Sequence, residues 1–401
     1  MSGPLTDLVV VEFSDQLGQL AGKLLADMGA DVIKVEPPHG SDARKVGPFA
    51  SAETGPERSL NFWYHNTNKR SFVADLDDPD SLAEVQALCA RANLIIEDRA
   101  PGALAAYGLD FEALSASNGG LVYCSITPFG QTGPWANWKV NDLVALALGG
   151  PMMMNGYDIA TYPDAPPVHG LGDQAFNTAC HFAVHGIMAA VLYRDRTGKG
   201  QHIDCAMHEA LSCTVEVGMP YWLYMRQDVR RQTGRHAAAV VTEKWTYTAA
   251  DGRDVLVFGV GRNNSQWNSL KQWLQAAGFG HHLDEERFSD PLARQPARGT
   301  EEAKEIMATV SAFIGESSSD DVYRGAQERG LPWGVVLAPE EVIVDPHWHD
   351  RGFYVQLPEE TLTKPVLMPG APYQFSATPW ELRRRAPRLG EHTEEIRATL
   401  R

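Results

Sequence analysis

Two hydrophobic rhythms alternate along the first half of the chain. Residues 8–13 form a continuous apolar run broken by one acid, as expected of a strand buried on both faces of a parallel sheet. Apolar residues at 17, 20, 21, 24, 25 and 28 then line one face of a helix. Gly29 ends that helix, and residues 30–36 read as a second strand before Pro37-Pro38. This βαβ unit predicts a right-handed crossover in a parallel sheet. The alternation continues with a helix over 81–92, strands over 93–97 and 121–126, a long helix over 174–193, a strand over 201–207 and a helix near Glu209. The expected fold class is α/β, an open parallel sheet with helices on both faces.

The rhythm changes near residue 225. Residues 225–235 are polar and Arg-rich, as in a linker. Asp251-Gly252 separates strand-like runs at 246–248 and 255–260, and helical stretches follow at 264–276, 302–314 and 319–329. The tail from Leu331 carries strands and prolines, with little helix before residue 391. These shifts divide the chain into a large domain over 1–210, a linker over 211–230, a small α+β domain over 226–330 and a C-terminal segment over 331–401.

Composition narrows the function classes. Of 401 residues 44% are hydrophobic and 21% charged, and the formal net charge is -16. Such acidity argues against nucleic acid or an anionic membrane as the main partner, and an anionic ligand would need a local cluster of donors. The five cysteines, at 89, 124, 180, 205 and 213, form no CxxC pair, so reduced thiols in a cytoplasmic protein are expected. The N-terminus has no signal-peptide pattern and no uninterrupted apolar run approaches a membrane span, so no membrane association is expected.

Several chemistries lack their motifs. The loop after the first strand, residues 14–19, has no GxGxxG, and there is no GxxxxGK[ST], so neither a dinucleotide nor a P-loop site is indicated. His181 and His185 lie four apart but without the glutamate of HExxH, which points to two histidines on a core helix. No GxSxG nucleophile elbow occurs.

The segment Gly170-Leu171-Gly172-Asp173 stands out because its acid opens the strongest helix in the chain. An acid there is an ordinary helix cap. The same position also offers free backbone N–H groups and the positive end of the helix dipole to a carboxylate, and flanking glycines admit a bulky substrate. Ala179, Ala183, Gly186 and Ala190 give the helix a small face for close packing.

The chain resembles the family III CoA-transferases (CaiB/BaiF type) through ordered landmarks spanning nearly its whole length. These are residues 29–36, Asn68-Lys69-Arg70-Ser71 with Asp75-Leu76, Pro101-Gly102 before Gly108-Leu109, Leu121-Val122-Tyr123, residues 129–134, 186–190 running to 196–201, 330–334 and 389–393. The resemblance implies an interlocked homodimer with a Rossmann-like large domain, a small domain and a C-terminal segment returning to the large domain. It implies that Asp173 is the nucleophile, carrying an anhydride and then an aspartyl-CoA thioester, with coenzyme A as substrate and no tightly bound cofactor or metal. It places CoA against Gln16, Ala74, Asp75, Leu76, Asp77, Asp98, Arg99, Ala100, Lys139, Asn141 and Asp142. Two family arginines are replaced, by Pro37 and Ala106, with Arg99, Arg44 or Lys45 as candidate substitutes. Shielding of the intermediate from water points to glycine-rich stretches at Gly259 and Gly261 or at 150–172.

Two rivals follow from the same resemblance. An acyl-CoA racemase or isomerase would need a histidine where Val140-Asn141-Asp142 has Asn141, and asparagine cannot act as a base. A non-catalytic acyl-CoA-binding subunit would be favoured had Asp173 been replaced. Transfer within a single diacid would also use Asp173. The methionines at 152–154, with Tyr157, suggest an adaptable apolar site for an acid larger than formate, and His169 is a candidate for a substrate carboxylate.

Overall fold

The computed structural model describes residues 3–51, 55–215, 218–261, 263–357 and 366–400. Its centre is a parallel sheet of six strands: β1 (Val9–Phe13), β2 (Asp31–Glu36), β3 (Arg70–Val73), β4 (Leu94–Glu97), β5 (Val122–Thr127) and β6 (Gln201–Ala206). They lie in the order β3-β2-β1-β4-β5-β6. The chain moves outward from β1 to β3, then returns to place β4 against the other side of β1. In an open α/β sheet that reversal opens a crevice beyond the carboxyl ends of the strands, where ligands bind. Val10, Val11, Ile95, Ile96 and Val122 are fully buried, as the continuous apolar runs require.

The short, polar β3 has no strand-like hydrophobic pattern. Its outer edge is covered by the C-terminal segment: His392 N–H donates to Ser71 O, Gly390 N–H to Ser71 Oγ and Val73 N–H to Thr393 Oγ1, at 3.1, 2.9 and 3.0 Å. A covered edge does not offer itself for further pairing.

The helix Gln174–Thr197 packs against β5, β6 and the helix Gln19–Asp27, burying Ala175, Ala179, Ala183, Ile187 and Ala190. By length and composition alone this helix could cross a membrane, a property that a search for uninterrupted apolar runs does not register. His181 and His185 lie on its exposed face and not in the core, and no metal-binding cluster of His, Cys, Asp or Glu occurs among the described residues.

The chain separates into two compact units. The first comprises Met1–Gly149, Gly170–Thr214 and Asp345–Arg401, and the second Gly150–His169 and Val215–Val344. Gly150–His169 thus groups apart from the rest of residues 1–210, because Asp158 accepts from Thr233 N–H at 3.0 Å and pairs with Arg235 at 3.2 Å. The expected linker over 211–230 is divided between the two units after Thr214, its first residues continuing the helix Met207–Cys213, and just beyond it β7 (Arg230–Gln232) and β8 (Arg235–Ala238) form a hairpin. Asp251-Gly252 turns between β9 (Thr246–Thr248) and β10 (Asp254–Leu256), and β11 (Gly334–Val335) completes a small antiparallel sheet. The helices Asn264–Ala276, Glu301–Gly315 and Ser319–Glu328 enclose a core that includes Trp267, Leu274, Ile306, Val310 and Trp333. The C-terminal segment adds an antiparallel pair, Tyr354–Leu357 with Val366–Pro369, and the helix Thr393–Leu400 to the first unit; residues 358–365 of the expected tail lie outside the described residues.

Beneath the β1 loop lies a buried ion cluster. Glu12 pairs with Lys34 at 3.0 Å and Lys69 at 2.7 Å, all with fully buried side chains. Burial opposes the Glu12 carboxylate, but the two ammonium groups hold its carboxyl below the usual range. Gly22 lets the first helix pass over this cluster: an added Cβ would sit 1.8 Å from Glu12 Oε2. Gly22→Ala must therefore displace Glu12 from its lysines, and a loss of about 2–4 kcal/mol is expected in urea unfolding.

His65 lies beside the same cluster, its Nδ1 2.9 Å from Asn61 O. Burial lowers its pKa from 6.5 to about 4. It is neutral in the fold, whereas the unfolded chain takes up the proton below about pH 6.5. His65 therefore costs stability progressively as pH falls from 6.5 to 4, by roughly 3 kcal/mol at the end of that window. The difference in unfolding free energy between parent and His65→Gln should drift by that amount between pH 7 and 4 and stay flat above pH 7.

Candidate active site

The crevice is organised by the loop that leaves β1. Asp98, just after β4, accepts from Asp15 N–H at 2.7 Å and Gly18 N–H at 2.9 Å through Oδ2. Asp15 in turn accepts from Ser41 Oγ and Ala43 N–H, each at 2.6 Å, tying in the chain beyond β2. On the other side Cys180 Sγ lies 2.9 Å from Leu17 O, linking the loop to the long helix. Asp98 is thereby committed to loop geometry, while Gln16 sits half-buried at the loop's centre.

A cavity of about 620 Å³ opens beyond the carboxyl ends of β1, β2, β3 and β4. Ala74, Asp75, Leu76, Asp77 and Arg99 line it together with Phe13, Pro37, His39 and Tyr107. Ala100 is exposed on the same loop as Arg99. Tyr107 Oη donates to Asp77 Oδ1 at 2.9 Å, and Glu36 is committed to Arg44 at 2.7 Å. The Arg99 guanidinium makes no hydrogen bond or ion pair among the described residues, while its backbone N–H donates to Glu97 Oε2 at 2.7 Å. Burial raises the Glu97 carboxyl to about 7.

Arg99 therefore offers the cavity a guanidinium that no side chain hydrogen-bonds among the described residues, although its charge also acts on Asp98, Glu97 and Asp42, whereas the other two candidates are paired. Arg44 is buried and saturated by Glu36, Glu57 and the Pro387 carbonyl. Lys45 is exposed and pairs with Asp42 at 2.6 Å. His39 and Tyr107 were not legible as lining residues, since only the topology brings the ends of β2 and β4 together.

Asp173 occupies the N-cap position of the helix Gln174–Thr197, but its side chain accepts none of the helix N–H groups. Asp142 does so instead: its Oδ1 accepts from Ala175 N–H at 2.7 Å. Among the described residues the hydrogen-bond donor to the Asp173 carboxylate is Asn61, whose Nδ2 lies 3.3 Å from Oδ2. Gly172, at φ +80°, turns the chain into the helix, and an added Cβ there would meet no atom within 4 Å. The carboxylate is half-buried, and Leu171 beside it is 90% exposed. Such a group can act as a nucleophile because the helix N–H groups do not engage its oxygens.

The remaining residues have separate places. Asn141 caps the helix Asp142–Leu148 by accepting from Val144 N–H at 2.9 Å. Lys139 is exposed and has no ion pair among the described residues. Met152, Met153, Met154, Tyr157, His169, Gly259 and Gly261 belong to the second unit. Asn61 escaped sequence reasoning: it stands in the run Asn61-Phe62-Trp63-Tyr64-His65 with no spacing that marks it.

Comparison with known proteins gives a concordant result. The model of CoA-transferase family III matches residues 5–393. The chain is 35% identical over 405 residues to the succinate–glutarate CoA-transferase of Agrobacterium fabrum, covering 99% of this chain and 96% of that one. It is 33% identical over 389 residues to a subunit of the succinyl-CoA:(R)-benzylsuccinate CoA-transferase of Thauera aromatica, covering 96% and 92%. A CaiB/BaiF family protein from Brucella suis has the same fold, with a TM-score of 0.81 at 31% identity over 100% of both chains. The sheet order, the crevice and these matches coincide along the whole chain, which belongs to CoA-transferase family III and is a CoA-transferase.

Proposed function

We propose that this protein moves coenzyme A from an acyl-CoA donor to a carboxylic acid through covalent intermediates on Asp173. The observation that carries this reading is the uncapped Asp173 carboxylate, left open because Asp142 takes the helix N–H. An Asp173 oxygen attacks the thioester carbonyl and expels CoA thiolate, forming a mixed anhydride. The thiolate attacks Asp173 Cγ and expels the donor acid, leaving an aspartyl-CoA thioester. The acceptor carboxylate attacks that Cγ and expels the thiolate, which then attacks the acceptor's own carbonyl. Acyl-CoA leaves and the Asp173 carboxylate is restored. One difficult exchange is thus divided among easier ones.

The cavity with Arg99 fits the phosphate-bearing end of CoA, as a charge-assisted contact would. The relatives' names make dicarboxylates the first acids to test, with succinyl-CoA as donor. We further place the protein in the cytoplasm, away from membranes, as a homodimer. Five free cysteines suit a reducing compartment. Exposed Leu143, Val144, Leu148, Phe182, Leu192 and Tyr193 suit a partner surface. A racemase has no support at Asn141, whose side chain caps a helix.

Incubation with succinyl-CoA and hydroxylamine should leave a hydroxamate on Asp173, detectable by peptide mass spectrometry. Asp173→Ala should remain folded and lose at least about 1,000-fold in transfer rate; parent-like transfer by this variant would falsify the reading. Arg99→Met should raise KM for the CoA ester about tenfold with kcat nearly unchanged. The same variant should match the parent with an acyl-pantetheine lacking the phosphates.

A further inference from the structure

Asn61 does not stand alone behind Asp173. Lys69 Nζ donates to Asn66 Oδ1 at 3.0 Å, and Asn66 Nδ2 to Gln19 Oε1 at 3.1 Å. Gln19 Nε2 donates to Asn61 Oδ1 at 3.2 Å, and Asn61 Nδ2 to Asp173 Oδ2 at 3.3 Å. Three amides therefore run in series from an ammonium to a carboxylate.

The direction of this chain follows from its ends. A lysine ammonium can only donate and a carboxylate can only accept. Asn66 is fixed independently, since its Nδ2 also donates to the Phe62 carbonyl at 3.0 Å. With Asn66 so oriented, Gln19 must present Oε1 to it and Nε2 to Asn61, which forces the Asn61 N–H groups toward Asp173. Gln19, Asn66 and Lys69 are nearly or wholly buried, so water does not compete for these bonds. Burial lowers Lys69 to about 8 while Glu12 opposes that fall, so the ammonium persists at neutral pH.

We infer that Asn61 donates to the oxygen on which negative charge develops when Asp173 Cγ is attacked, and that Gln19, Asn66 and Lys69 are positioning residues that keep its N–H aimed there. This rests on the proposed role of Asp173. When thiolate or acceptor carboxylate adds to Cγ, the carbonyl oxygen becomes an oxyanion, and a preset donor strengthens its bond as that charge grows. The resting separation of 3.3 Å is long and leaves room for tightening.

Gln19→Glu tests the polarity with an isosteric change. A carboxylate at position 19 accepts from both neighbours, so Asn61 must turn its N–H toward position 19 and its carbonyl toward Asp173. At neutral pH kcat should fall about 100-fold with KM for succinyl-CoA unchanged. Gln19→Met, which removes the anchor without reversing Asn61, should lose less. The charged or titratable groups around this network are Lys69, Glu12, Lys34, Lys23, His65 and Asp173. Referred to the parent's own profile, which carries their titrations, Gln19→Glu should regain kcat as pH is lowered, because the introduced carboxyl, once protonated, can again donate to Asn61.

Equal losses in Gln19→Glu and Gln19→Met, a change confined to KM, or no recovery at low pH would each overturn the inference. If Gln19→Glu fails to fold, half-buried Asn61→Ala carries the test: a fall of about 100-fold in kcat supports it and parent-like kcat overturns it. The controls separate this inference from the reading beneath it. Failure of the nucleophile reading appears as an active Asp173→Ala, whereas failure of the relay leaves Asp173→Ala inactive and the position 19 and 61 variants near the parent.

Discussion

The bond from Ala175 N–H to Asp142 Oδ1 is the constraint on which the site depends. A helix start leaves N–H groups that must be satisfied, and the residue at the N-cap ordinarily supplies the acceptor. Here that acceptor comes from another helix, 33 residues earlier in the chain. Asp173 keeps the N-cap position without the N-cap bond. A side chain at this position would normally be judged structural; its release from that duty is what frees it, on physical grounds, to act as a nucleophile.

The same division of labour recurs around the crevice. Asp98 shapes the β1 loop, Asp15 ties that loop to the chain after β2, and Arg44 neutralises Glu36 in the interior. Arg99 faces the cavity with no side-chain hydrogen bond among the described residues. In a chain with a net charge of -16, one cation without a hydrogen-bonded partner inside a concave site matters more than the overall charge suggests. The acidic residues nearby are largely tied up: Glu36 by Arg44 and Asp77 by Tyr107.

The sheet was readable from the sequence where strands are buried on both faces, because β1 and β4 are apolar runs ending in or broken by one acid, and β2 and β5 keep apolar residues around Lys34 and Ser125. The edge strand β3 was not, since Arg70 and Ser71 break the pattern and its cover comes from residues more than 300 positions away. Asp173 could be singled out by its glycines and its helix, but pattern alone also allowed a simple cap. The acceptor that removes this ambiguity, Asp142, is a long-range contact with no local signature. Arg44 and Lys45 looked like substitutes for the missing arginines because charge is visible in sequence and pairing is not. Asn61 and Gln19 were invisible as a pair for the same reason: their relation exists only once the first helix and the helix Leu60–His65 are packed together.

The central claim is that Asp173 itself becomes acylated, and oxygen transfer tests it most directly. An acceptor acid labelled with heavy oxygen in both carboxylate positions must leave one labelled atom on Asp173 each time its acyl group passes to CoA. After a single turnover, the peptide carrying Asp173 should be heavier by one such oxygen, with no label on peptides carrying Asp142 or Asp98. Continued transfer with Asp173 unlabelled would contradict the account.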